Sequence, residues 1–171
     1  MRRTVAATGT AVFFCVAPGT VAGVIPWWMT GWHIREPLPY WAPLRVLGVV
    51  LLLLAAPVLA HSFVRFVMEG IGTPAPVAPT AHLVVGGIYR HVRNPMYLAV
   101  NAAIIGQGLL LGQVSLLVYG VAIALLQAAF VHFYEEPALR QRFGESYDEY
   151  TQKVGRWSPR FRRDKRVTDN G

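Results

Sequence analysis

The sequence predicts an all-α protein: an integral membrane bundle of about four transmembrane helices with a cytosolic C-terminal amphipathic helix. Three observations predict it. Of the 171 residues, 54% are hydrophobic and only 15% charged, whereas soluble domains run near ~45–50% apolar and ~25% charged. The charges cluster beside apolar runs instead of spreading along the chain. Four such runs approach the roughly 20 residues that a bilayer crossing needs. The length fits a single domain over residues 1–171.

The first helix is expected at about residues 4–29. Thr4 to Met29 carries no charged side chain, and Trp27, Trp28 and Trp32 follow as an interfacial belt. A cleaved signal peptide is the competing reading of Met1-Arg2-Arg3, but the run is long and no small-residue cleavage site ends it. Cys15, the one cysteine, lies inside this run and has no partner for a disulfide. The second helix is expected at about 44–66, bracketed by Arg45 and Arg65, with Pro57 inside it as a kink site and His61 as its one titratable group. The third and fourth are expected at 95–111 and 114–133. Only Gly112-Gln113 separates them, so they form a tight antiparallel hairpin, and Gly106 and Gly108 permit close helix approach.

The formal net charge of +7 sets orientation. With four spans, Arg2-Arg3, Arg90, Arg93 and the basic tail all fall on one side, which the positive-inside rule assigns to the cytosol together with both termini. The protein is thus expected as a multi-pass protein of the cell membrane. The same charges meet anionic lipid. No nucleic-acid motif is present, and the five scattered histidines offer no metal-ligand spacing, so no metal is expected.

Two segments lie outside the apolar runs. The first, a cytosolic loop over 69–94, opens with the proline-rich Gly70–Pro79 stretch, which excludes helix. It ends in Gly86-Gly87-Ile88-Tyr89-Arg90-His91-Val92-Arg93-Asn94-Pro95-Met96-Tyr97. Asn94-Pro95 reads as helix initiation, with asparagine capping and proline at the first position. Arg90 and Arg93 either anchor the helix to lipid phosphate or hold a ligand anion. The second segment is an amphipathic helix over 135–155, followed by a basic tail over 156–171. Leu139, Phe143, Tyr147, Tyr150 and Val154 recur at helical spacing, with Gly144 as a weak point in the middle. Glu135-Glu136-Pro137 reads as the start of that helix, with Glu136 placed to pair with Arg140 at i+4. The alternative is that these adjacent carboxylates bind a cationic ligand group.

In order and spacing, these two segments resemble the isoprenylcysteine carboxyl methyltransferase and phospholipid methyltransferase superfamily, in a bacterial-type form. Gly87 to Tyr97 looks like that family's Gly-Pro-Tyr-Arg-Tyr-Val-Arg-His-Pro-Met-Tyr stretch. Glu135-Glu136-Pro137-x-Leu139, then Phe143-Gly144, Tyr147, Tyr150 and Arg156-Trp157, looks like its second element. The resemblance covers roughly Gly70 to Pro159. Asn94 stands where the family usually has histidine, Ile88 where it has proline, and Ala99 where it has glycine. Asparagine takes up no proton near neutral pH.

The resemblance implies a methyltransferase that uses S-adenosyl-L-methionine, bound in a cytosol-facing pocket between the last helices and the C-terminal segment. Its cofactor-binding residues would be drawn from Gly87, Tyr89, Arg90, Arg93, Asn94, Pro95, Tyr97, Glu135, Glu136 and Tyr147. Either glutamate can meet the cofactor ammonium, and Arg90 or Arg93 its carboxylate. The tyrosines offer faces to the sulfonium or adenine. Catalytic candidates are Arg93, Asn94, Glu135 and Glu136, with His132 nearby as a further base. The implied acceptor is a lipophilic or amphipathic small molecule, either an isoprenylcysteine-like carboxylate or a phospholipid or other amine. An NADPH-dependent membrane reductase of related layout and a non-enzymatic membrane protein are the readings from other classes.

Overall fold

The computed structural model describes residues 16–65, 68 and 82–160. The first fifteen residues (with Cys15), the proline-rich Gly70–Pro79 stretch and the tail beyond 160 lie outside the described residues, as does the start of the expected first helix. The described part is built from helices. Residues 16–19 are helical and lead through a π-helical segment, Thr20–Val24, into α1, Ile25–Thr30. Then come α2, Ala42–Arg65; a 3-10 turn, Gly87–Arg90; α3, Pro95–Leu111; and α4, Val114–Phe130. A second π-helical segment, Val131–Glu135, joins α4 to α5, Glu136–Phe143, and α6, Glu145–Lys153, follows.

Among the described residues two helices are long and apolar enough to cross a membrane: Ala42–Arg65, with 24 residues, and the continuous Val114–Phe143, with 30. At 1.5 Å per residue they reach about 36 and 45 Å, against a hydrocarbon core of roughly 30 Å. α3 is apolar but has 17 residues, about 26 Å. Large apolar side chains stand exposed on α2 and α4, including Leu53, Leu54, Leu125 and Leu126. Water would penalise such a surface, and lipid accepts it.

Small residues set the packing. α2 and α3 come close where Gly48 faces Gly106: a Cβ at Gly48 would fall 2.6 Å from the Leu110 backbone nitrogen and 2.7 Å from the Gly106 carbonyl oxygen. Gly108 lies against Leu116 and Leu117 of α4, and Gly120 of α4 lies against Ile104 and Ile105. Ile104 and Leu116 are fully buried between these helices. The hairpin turns at Gly112, whose left-handed φ of 67° closes α3.

The loop after α1 is bolted onto this hairpin. The Arg35 amide donates to the Leu111 carbonyl at 2.7 Å, and the Gln113 side-chain amide donates to the His33 carbonyl at 2.7 Å. The Trp41 indole donates to the Leu109 carbonyl at 2.7 Å. Losing that last bond leaves a buried carbonyl with one partner fewer. Trp41→Phe should therefore lower stability by about 1–2 kcal/mol in a thermal melt in detergent.

Three local expectations need correction. Glu135-Glu136-Pro137 does not start a helix: the backbone runs from α4 through Val131–Glu135 into α5 without interruption. A proline clashes with the carbonyl four residues earlier, and a π turn loosens the ladder there. The same device precedes α1, where Thr20–Val24 ends two residues before Pro26, as Val131–Glu135 does before Pro137. The amphipathic helix expected over 135–155 is two helices, because Gly144 takes φ 52°, ψ −128° and breaks it. Asn94 precedes Pro95 at the start of α3, but its side chain makes no capping bond.

Candidate functional site

At the end of α3 away from the hairpin, three stretches of chain converge: the 3-10 turn with Val92–Tyr97, the α4–α5 junction, and Val154–Trp157. Backbone ties hold them. Val92 and Gly155 form a parallel bridge, and the Arg93 amide donates to the Gly155 carbonyl at 2.9 Å. The Asn94 side-chain amide donates to the Arg156 carbonyl at 3.2 Å. That is why it does not cap α3. The Tyr150 hydroxyl donates to the Tyr89 carbonyl at 2.7 Å. Burial pushes the Tyr150 phenol well above the usual tyrosine range, so it keeps its proton for this bond across ordinary pH.

The two glutamates differ sharply. Glu136 sits between two arginines, with Arg93 at 2.9 Å and Arg156 on both carboxylate oxygens at 2.8 and 2.5 Å. The Arg93 side chain is 10% exposed and that of Glu136 17%. Arg93 also donates to the Tyr147 hydroxyl at 3.2 Å, while its own Nε is buried without a hydrogen-bond partner. Burial raises the Tyr147 phenol, against the opposing pull of Arg93. Glu135 has no arginine: among the described residues its hydrogen-bond partner is the Tyr97 hydroxyl, at 2.9 Å. The Tyr97 ring lies 6.5 Å from that of Trp157. One turn further along α3, Asn101 bonds Gln127 of α4 and also donates to the Tyr97 carbonyl at 3.0 Å.

The structure therefore brings together Arg93, Asn94, Tyr97, Glu135, Glu136 and Tyr147 of the expected set, with Pro95 as the first residue of α3. Tyr89 contributes through its backbone carbonyl. Arg90 is exposed and takes no part in this network. Gly87 adopts φ 58° at the far end of the 3-10 turn, where an added Cβ would collide with His61 and Arg65 of α2. The expected Glu136–Arg140 pair does not form, since Arg140 pairs with Asp148 at 2.8 Å across the α5–α6 break. His132 is exposed, edge-on to Phe133. Arg156 and Trp157 are site residues that sequence reasoning placed in a motif but not in the site. A bond from Arg156 back to Glu136 spans two helices and has no local periodicity to announce it.

Two lipid-suited helices and a charged, aromatic-lined cluster at one end of the bundle define a membrane protein with a polar site at that end. The chain belongs to the phospholipid methyltransferase family, whose profile matches residues 43–146, within the superfamily of membrane methyltransferases that includes the isoprenylcysteine carboxyl methyltransferases. The matched span takes in Gly87–Tyr97 and both glutamates but ends before Tyr147 and Arg156. No curated protein matches the chain. The coarse activity, methyl transfer at a membrane, follows from membership.

Proposed function

We propose that this protein is an S-adenosyl-L-methionine-dependent methyltransferase that modifies a lipophilic acceptor drawn from the bilayer. The observation that carries the reading is the inequality of the two carboxylates. Glu136 is neutralised twice over, whereas Glu135, at the end of the Val131–Glu135 segment, bonds the Tyr97 phenol of α3 and, among the described residues, pairs with no cation. A carboxylate so placed favours a cationic ligand group. The buried, unpartnered Nε of Arg93 and the excess positive charge of the Arg93–Glu136–Arg156 cluster favour an anionic one. An amino acid moiety offers both. The residues present therefore fit the cofactor: Glu135 would hold its ammonium, Arg93 its carboxylate, and Tyr97 with Trp157 an aromatic wall.

When bound, the cofactor supplies an activated methyl on a sulfonium, which passes to the acceptor's lone pair as the carbon–sulfur bond breaks. The protein's part is alignment in a closed site. Tyr97 fixes the Glu135 carboxylate, the Asn94 bond ties the C-terminal segment to the start of α3, and the Tyr150 bond ties α6 to the 3-10 turn. Asn94 supplies no proton acceptor. The family match supports a phospholipid headgroup amine over an isoprenylcysteine-like carboxylate as the acceptor, and such an amine must shed a proton before or during transfer.

Glu135→Gln tests the site. It keeps the hydrogen bond to Tyr97 and removes the charge. Affinity for both S-adenosylmethionine and S-adenosylhomocysteine, which share the ammonium, should fall about tenfold to a hundredfold, the equivalent of ~1.5–3 kcal/mol. Unchanged binding of both ligands would make Glu135 a structural residue. The four-span topology with both termini cytosolic is tested by reporter fusions: those after Trp32 and Gly112 should read external, and those after Thr80 and Gly171 cytosolic. An external C-terminus would overturn the topology and the cytosolic placement of the site together.

A further inference from the structure

We infer that Glu136 is a positioning residue and not a ligand: it latches the C-terminal segment across the site, and a ligand carboxylate arriving at Arg93 tightens that latch. The inference rests on the cofactor reading above and divides the two glutamates further. Glu136 bonds both walls of the site through its side chain. Toward α3 it pairs with Arg93, at 2.9 Å; toward the C-terminal segment it accepts two bonds from Arg156. Arg156 lies in the stretch that Val92, Arg93 and Asn94 clip in place through Gly155 and Arg156 backbone carbonyls. Trp157, the next residue, is the one that faces Tyr97.

The charge arithmetic shows why an anion should strengthen this arrangement. Within the Arg93–Glu136–Arg156 triad two guanidiniums share one carboxylate, while the neighbouring Glu135 carboxylate, on Tyr97, is left on the cofactor reading to the ligand ammonium; the Arg93 and Glu136 side chains are 10% and 17% exposed. Like charges held about one carboxylate apart repel, more strongly in a partly dry site than in water. The Arg93 Nε–H is buried and unpartnered, so a donor is already waiting. A second carboxylate there cancels the excess charge and satisfies that donor. Arg93 and Arg156 then no longer repel across Glu136, and the segment carrying Trp157 sits more firmly. Glu136 acts throughout on the arginines and never on the ligand.

The test reads closure and not turnover. Trypsin cleavage after Arg156 reports opening of the segment, because cleavage of a transiently opened site tracks the open population. The purified full-length protein in detergent is used. Saturating S-adenosylmethionine should slow cleavage after Arg156 by roughly tenfold, the effect of one charge-assisted contact. Decarboxylated S-adenosylmethionine, which keeps the ammonium and sulfonium, should bind yet give little protection. This comparison needs no variant, so it survives a misfolded mutant. Glu136→Gln should cleave faster without ligand and lose the difference between the two ligands, while Glu136→Asp restores part of it. If both ligands bind the parent protein and protect it equally, the latch inference is wrong and the cofactor reading stands. If neither binds, the cofactor reading fails and this inference with it.

Discussion

Arg93→Ala should be the most damaging single change in the site. Removing one partner of a buried, hydrogen-bonded ion pair costs ~3–5 kcal/mol, and the Arg93 side chain is 10% exposed. Arg156 stays on Glu136 and keeps the loss toward the lower end. A cost of ~3 kcal/mol corresponds to a fall in melting temperature of roughly 6–12 °C for a chain of this size. Affinity for S-adenosylmethionine should drop as well. Arg90→Ala is the matched control: Arg90 is exposed, so stability should move by no more than about 0.5 kcal/mol and affinity should hold. Two alanine variants that melt and bind alike would show that the cluster around Glu136 has no special role.

The second large effect lies in the bundle. Gly48→Ala places a methyl 2.6 Å from one backbone atom of α3 and 2.7 Å from another. Backbone atoms cannot swing aside as a side chain can, so α2 and α3 must separate along their contact. Overpacking of this kind costs ~1–3 kcal/mol, and the rigid neighbours place Gly48 at the upper end. Gly23→Ala meets nothing within 4 Å and should be close to neutral. Thermal melts of the two variants side by side distinguish a close helix crossing from a general intolerance of alanine. Equal melting temperatures would mean the crossing is looser than the distances show.

Much of this architecture can be read before any coordinates are seen, for physical reasons. Pro95 and Gly112 bound α3 because proline suits a first helical position and glycine a left-handed end. Gly106 and Gly108 in an apolar run announced close packing, although the partner of Gly106, Gly48, lies more than fifty residues away in the sequence and only the fold reveals it. The C-terminal region was less legible. The stripe from Leu139 to Val154 has helical spacing on both sides of Gly144, so the break there leaves no mark on the pattern. An acidic pair before a proline is a sound sign of a helix start, and it misleads where a π turn lets the helix run on. The identities of Arg93, Tyr97, Glu135 and Glu136 stood out early. The division of labour between the glutamates did not, because it depends on which one Arg156 reaches.

The π-helical turn at Val131–Glu135 also acts as a phase counter. In an α-helix each residue advances about 100° around the axis, and a π turn absorbs one residue more than an α turn over the same rise. Everything after Glu135 is therefore rotated by about that angle relative to an uninterrupted α-helix. The face that carries Glu136 toward Arg93 and Arg156 is set by this count and not by α4 itself. Straightening this turn into α geometry with every residue kept would turn Glu136 by about 100° away from both arginines, whereas deleting one residue of the turn would let a regular α-helix keep Glu136 on its present face.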